Sequence, residues 1–206
     1  MKNSEKRQKL GIMGGTFDPI HYGHLVAAEG ARHHFGLDKV IFVPAARPPH
    51  KGNRDISEPY HRLGMTFLAT GSNANFEVSD LEMKRSGPSY TIDTVEYYRR
   101  SMPDSTVYFI TGADAVLEIL TWHRVQELLD MCFFIAATRP GYRLENISES
   151  LKGLPPYCLE KISLMEVPAL AISSTDIRDR VRKGMPIKYL LPEDVEKYIF
   201  SKDLYK

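Results

Sequence analysis

The chain has 206 residues, 43% hydrophobic and 26% charged, in the range of one ordinary globular domain with at most a small appendage. Lys plus Arg number 27 against 26 for Asp plus Glu, so a net charge of +1 gives no electrostatic reason to expect bulk binding to nucleic acid or a membrane surface. Any anion site has to be local.

From the N-terminus, "MKNSEKRQ" reads as a polar tail over residues 1–8, and the "LGIMGG" that follows Lys9 is too short for a signal sequence or a membrane span. Short apolar runs rich in β-formers follow: "KLGIM" (9–13), "KVIFVP" (39–44), "TVYFITG" (106–112) and "CFFIAAT" (132–138). They alternate with stretches of helical period such as Leu25–Phe35 and Thr91–Arg100. That alternation predicts βαβ units and a parallel sheet, in a single α/β domain covering residues 1–206. "AARPPHKGNRDIS" (45–57) reads as a long loop, and residues 139–147 as a second one. In "ISSTDIRDRVRKG", Ser173 is the expected N-cap, Asp176, three residues on, completes a capping box and Gly184 is the terminator. "LPEDVEKYIFSK" predicts a closing helix with Pro192 in its first turn, so that residues 172–206 form a helical C-terminal part. Cys132 and Cys158 form neither a C-x-x-C pair nor a disulfide framework, which suits a reducing cytoplasm.

The chemistry concentrates in "GGTFDPIHYGH" (14–24). Gly14 and Gly15 follow a predicted buried strand, where a missing Cβ allows a sharp turn and close approach to a ligand. Ligands of open α/β sheets bind outside the carboxyl ends of strands, where a helix N-terminus attracts phosphate. A helix starting near His21 or Tyr22 places His21 and His24 one turn apart on one side of that positive end. The letters match neither G-x-G-x-x-G nor G-x-x-x-x-G-K-[ST], which sets aside the common dinucleotide and P-loop fingerprints.

"HYGH" preceded by "GGTFDP" resembles the T/H-x-G-H signature of nucleotidyltransferases, and "ISSTDIR" (172–178) resembles their second signature. The resemblance implies a dinucleotide-binding-like (Rossmann-like), doubly wound fold. It also implies joining of a nucleotide to a phosphate monoester with release of pyrophosphate. "SYTIDTVEYYR" (89–99), "TGADAVLEILTWHR" (111–124) and "ATRPGY" (137–142) look like segments of the bacterial nicotinate-nucleotide adenylyltransferases, which use ATP and nicotinate mononucleotide to make deamido-NAD. "PPHK" and "KYLLPEDVEKYI" extend the likeness over nearly the whole chain.

The resemblance implies His21, His24 and Arg178 as catalytic groups, with Gly14, Thr16, Phe17, Gly112, Asp114, Ser174 and Thr175 also around ATP. It implies Gly15, Lys51, Thr91, Trp122, His123 and Arg139 around the nicotinate nucleotide, with Trp122 stacked on the pyridine ring and Thr91 offering a backbone N–H to its carboxylate. A lone tryptophan is more often core than shelf, and Asp114 before "AVLEIL" could equally cap a helix. An aromatic residue, commonly Tyr, is expected after the tryptophan; here His123 stands there, an imidazole that would titrate if it met the carboxylate. With no metal-ligand cluster in the sequence, Mg²⁺ is expected to enter with ATP. A homo-oligomer is left open; no nucleic acid or membrane partner is expected. Nicotinamide-mononucleotide and pantetheine-phosphate adenylyltransferases are the enzyme alternatives, and a nucleotide-binding module without turnover is the alternative of another kind.

Overall fold

The structure is a computed structural model that describes residues 7–49, 56–138, 152–168 and 170–206. Six strands form one all-parallel sheet: β1 (Lys9–Gly15), β2 (Lys39–Pro44), β3 (Phe76–Val78), β4 (Thr106–Gly112), β5 (Phe133–Thr138) and β6 (Ile162–Glu166). Their order is β3-β2-β1-β4-β5-β6, the doubly wound arrangement expected from the alternating pattern. β3 and β6 escaped the sequence reading. β3 is only three residues long, and "ISLME" lacks the continuous apolar run that marks a strand buried on both faces.

The helices are α1 (Tyr22–Phe35), α2 (Pro59–Thr70), α3 (Thr91–Ser101), α4 (Ala113–Leu117), α5 (Val125–Met131), α6 (Ser174–Arg182) and α7 (Glu193–Ser201). α2 also went unread, because its apolar face is interrupted by Arg62 and Thr66, both of which turn out to be buried. Pro192 is the N-cap of α7, one position before the first turn where the sequence placed it. Ser173 caps α6 as expected, its Oγ accepting from Asp176 N–H at 3.1 Å, while the Asp176 carboxylate accepts from Arg180 Nε at 2.8 Å.

Alternate residues of each central strand feed two cores, one on each side of the sheet. Leu10, Ile12, Val43, Phe109 and Phe134 pack with Ile92, Val95, Val116 and Leu128 on the face of α3, α4 and α5. Met13, Phe42, Ile110 and Ile135 pack with Ala28, Met65, Ile177 and Ile199 on the face of α1, α2, α6 and α7. α1 presents alanines 27, 28 and 31 to the sheet, which lets its backbone lie close to the strands. It ends at Gly36, whose left-handed φ of 62° allows its N–H to close on Arg32 O and His33 O. Among the described residues no helix is long and apolar enough to cross a membrane.

Candidate active site

The strand order reverses between β1 and β4, and a cavity of about 480 Å³ opens at the carboxyl ends of those strands. Met13 and Gly14 line it from β1, Ile110–Gly112 from β4, and Ala137 and Thr138 from β5. His21, Gly23 and His24 enter from the start of α1, and Asp114 from the start of α4.

The turn 16–19 that joins β1 to α1 is shaped by its neighbours. Phe17 adopts a left-handed φ of 50°, uncommon for a bulky residue, and buries its ring at 2% exposure. The Asp18–Pro19 peptide is cis. Arg62, at 1% exposure, donates from Nη1 to Thr16 O (2.8 Å) and Ala45 O (2.5 Å), from Nε to Ser57 O (2.9 Å) and from Nη2 to Ala46 O (3.2 Å). Burial pulls the Arg62 pKa below its ordinary value, and the Asp18 charge opposes that shift.

Packing also constrains the paired glycines. A Cβ on Gly14 would stand 2.8 Å from the Phe109 ring and one on Gly15 would stand 2.8 Å from the Phe17 ring, so neither position has room for a side chain. Gly23 is the third constrained position: its Cβ would meet the His21 imidazole at 3.0 Å. At Gly112, by contrast, a Cβ would project into open space, which suits a residue lining a ligand cavity.

His21 is the N-cap of α1 and is 7% exposed. Its ring stacks on that of His24, with centroids 3.8 Å apart and planes inclined by 28°. The His21 backbone N–H donates to His24 Nδ1 at 3.2 Å. A nitrogen that accepts there carries no proton, so neutral His24 is held as the tautomer with hydrogen on Nε2, a donor. The edge of Phe17 meets the His24 ring at 5.1 Å and 87°, so the imidazole is oriented from two sides. The two histidines thus face one cavity from a helix N-terminus, as the spacing predicted.

The second signature packs against the first. Ser174 Oγ donates to Pro19 O at 2.8 Å, across 155 residues, and Arg178 Nη1 donates to Asp18 O at 2.7 Å, across 160. Arg178 Nη2 lies 3.4 Å from Thr175 Oγ1, and Arg178 Nε is buried without a hydrogen-bond partner among the described residues. Ser174, Thr175 and Arg178 do not line the cavity, and neither do Gly15, Thr16 or Phe17. Ser174 and Arg178 thus brace the first signature's turn by donating to its carbonyls. Sequence spacing alone could not reveal this, because the acceptors are backbone atoms.

A second cavity, about 200 Å³, lies on the other flank of α4 and gathers Thr91, Trp122 and His123 with Pro49, Ser89, Tyr90, Ala115 and Glu118. Trp122 meets Phe109 edge-on at 5.9 Å and Phe134 at 5.9 Å, so one part of the indole anchors in the core while another lines the cavity. His123 stacks on Tyr90 at 4.3 Å and 26°, occupying the flat space that an aromatic residue would fill. Ser89 and Arg47 tie the loop to this rim, with Arg47 N–H donating to Ser89 Oγ at 3.0 Å and Ser89 N–H to Arg47 O at 2.9 Å. Asp114 is not the cap of α4; Gly112 is, which leaves the Asp114 carboxylate in the first turn facing the larger cavity. Lys51 and Arg139 lie outside the described residues. Among the described residues no three His, Cys, Asp or Glu side chains converge to hold a metal ion.

The sequence reading passed over Asp18, Arg62 and Tyr205. Asp18 stands inside the quoted signature, but nothing in the letters marks it as a buried carboxylate; Tyr205 Oη donates to its Oδ1 at 2.7 Å.

Residues 12–180 match the family model described as cytidylyltransferase-like. The chain is 60% identical over 199 residues to a probable nicotinate-nucleotide adenylyltransferase of Moorella thermoacetica, covering 96% of this chain and 92% of that one. It is 58% identical over 203 residues to one of the same name from Thermoanaerobacter sp., covering 98% and 96%. Its fold is similar to the solved Plasmodium falciparum nicotinic acid mononucleotide adenylyltransferase complexed with NaAD, with a TM-score of 0.78 at 24% identity over 96% of this chain and 97% of that one. Identity of this degree over nearly the full length, on a doubly wound sheet carrying the paired histidines, means that the chain belongs to the nicotinate-nucleotide adenylyltransferase family.

Proposed function

We propose that the protein transfers the adenylyl group of ATP to nicotinate mononucleotide, forming nicotinate adenine dinucleotide and pyrophosphate, a step of NAD biosynthesis. The observation that carries the reading is the pair of cavities flanking α4: one holds the histidine pair at the N-terminus of α1, the other an aromatic shelf beside the N-terminus of α3.

ATP occupies the larger cavity, with its α-phosphate toward α1 and its adenosine along β4 and β5. The nicotinate ring lies in the smaller one against Trp122. A phosphate oxygen of nicotinate mononucleotide attacks the α-phosphorus in line, one P–O bond forms, and the bond to the β-phosphate oxygen breaks to release pyrophosphate. No protein nucleophile is required, so positioning and charge stabilisation carry the rate. His24 Nε2–H and the first-turn N–H groups of α1 supply donors where negative charge develops, and His21 stacks behind His24 to hold its ring. Ser174 and Arg178 fix the turn that leads into this helix, and with Thr175 they are proposed as further groups around the ATP phosphates, Arg178 in a catalytic role. Lys51 and Arg139 are proposed as loop ligands for phosphate groups. Mg²⁺ entering with ATP would supply charge neutralisation at the phosphates.

The N–H groups at the start of α3 suit a carboxylate with two acceptor oxygens, and the amide of nicotinamide mononucleotide would set its NH₂ against a donor. Sites built on such a pattern discriminate by up to about 10⁴ to 10⁵. The test is pyrophosphate release from ATP with nicotinate mononucleotide and, separately, with nicotinamide mononucleotide. Release with the acid, at a kcat/KM far above that for the amide, is expected. No release with either, or an equal or higher value for the amide, would overturn the assignment.

A further inference from the structure

Asp18 is the only carboxylate in the turn between β1 and α1, and it is 2% exposed. An ionised carboxylate in such a place needs donors for its oxygens. Ser57 N–H donates to Oδ2 at 3.2 Å, and the Tyr205 hydroxyl donates to Oδ1 at 2.7 Å from the segment that follows α7. Tyr205 is held there. Its backbone is left-handed at φ 65°, Leu204 N–H donates to Ile199 O at 3.0 Å, and both side chains pack against the core beneath α1 and α2. Burial and the neighbouring Asp18 charge keep the phenol protonated by raising its pKa, so it remains a donor throughout the physiological range. The backbone carbonyls of the same turn are engaged by Arg62, Arg178 and Ser174, which leaves the Tyr205 hydroxyl, among the described residues, as the side-chain donor to the turn's one carboxylate.

We propose that Tyr205 is a positioning residue for adenylyl transfer, clasping the buried Asp18 carboxylate so that the turn delivers His21 and His24 to the cavity in a single geometry. The proposal rests on the function proposed above for its kinetic consequence but not for its structural one. His21 and His24 lie three and six positions after Asp18, and His24 is aligned by the His21 backbone N–H, so a shift of the turn moves donor and ring together. The hydroxyl touches no reacting atom; it acts through Asp18 and the backbone.

Tyr205→Phe removes one oxygen and keeps the ring. Its kcat is expected to fall about ten- to a hundredfold, the scale of a small misplacement of catalytic groups, while KM for ATP stays within about threefold. Leu204→Ala loosens the same segment without touching the hydroxyl, and its kcat is expected to stay within about twofold even though its melting temperature drops. In protein labelled with nitrogen-15 histidine, the imidazole signals of His21 and His24 are expected to move in Tyr205→Phe and not in Leu204→Ala. A wild-type kcat in Tyr205→Phe, equal kcat losses in the two variants, or unmoved imidazole signals would each overturn the clasp. Should Tyr205→Phe fail to fold, Asp18→Asn is put through the same two measurements, with the same losses expected and wild-type values overturning the proposal. A wild-type protein that releases no pyrophosphate would sink the functional reading alone, since the imidazole signals still decide the clasp.

Discussion

Arg62→Lys keeps the charge and the approximate length of a side chain that holds four backbone carbonyls at 2.5 to 3.2 Å. Those carbonyls belong to Ser57, Thr16, Ala45 and Ala46, so one guanidinium ties the turn before α1, the end of β2 and the segment before α2 together. A lysine offers three hydrogens on one nitrogen; from the Nη1 position it would serve Thr16 O and Ala45 O, and Ser57 O and Ala46 O would lose the planar fork that now reaches them. Hydrogen bonds to charged groups contribute about 1.5–3 kcal/mol each, so losing two predicts a destabilisation of about 3–6 kcal/mol. Against a total stability on the order of 5–15 kcal/mol, the variant is left marginal. The assay is urea unfolding followed by tryptophan fluorescence, which Trp122 reports alone because it is the only tryptophan and packs on Phe109 and Phe134. A lower midpoint at unchanged m is expected. A loss below about 1 kcal/mol would refute the view that Arg62 is the staple of this turn.

His24→Ala is expected to lower kcat by about 10²-fold or more with KM for ATP within a few-fold, because a donor aimed at developing charge acts in the transition state; steady-state kinetics with near-normal kcat would remove His24 from the chemistry. Trp122→Ala should raise KM for nicotinate mononucleotide about tenfold while leaving KM for ATP nearly unchanged, the signature of a lost ring shelf, and equal effects on both substrates would place the indole elsewhere. Burial, with Lys202 second, lowers the His61 pKa from 6.5, so the folded state resists protonation. His61 therefore costs nothing above pH 6.5, and stability declines as pH falls from there through the lowered folded pKa. His61→Gln, still able to bond Tyr198 Oη, should flatten urea midpoints between pH 7 and 5, and an unchanged slope would count against the shift.

Local letters were enough for the parts of this protein whose structure is dictated over a few residues. The four apolar runs became β1, β2, β4 and β5 with little change, because a strand covered on both faces must be continuously apolar. The start of α1 at His21 and Tyr22 and the Ser173 cap were legible because caps depend on residues three apart. From those starts the positions of the histidine pair, and of Thr91 at the head of α3, followed. β3, β6 and α2 were not legible: a three-residue strand carries no periodic signal, and α2 turns Arg62 and Thr66 into the core where pattern reading expects apolar residues.

What tertiary structure alone decided is who holds the turn between β1 and α1. Ser174 and Arg178 donate to Pro19 O and Asp18 O, and Arg62 and Tyr205 meet the same turn from helix and tail. Each of these partners is a backbone carbonyl or a buried carboxylate distant in sequence. Residue type records that a side chain can donate; only the fold brings the acceptor within 3 Å and removes the water that would otherwise take its place.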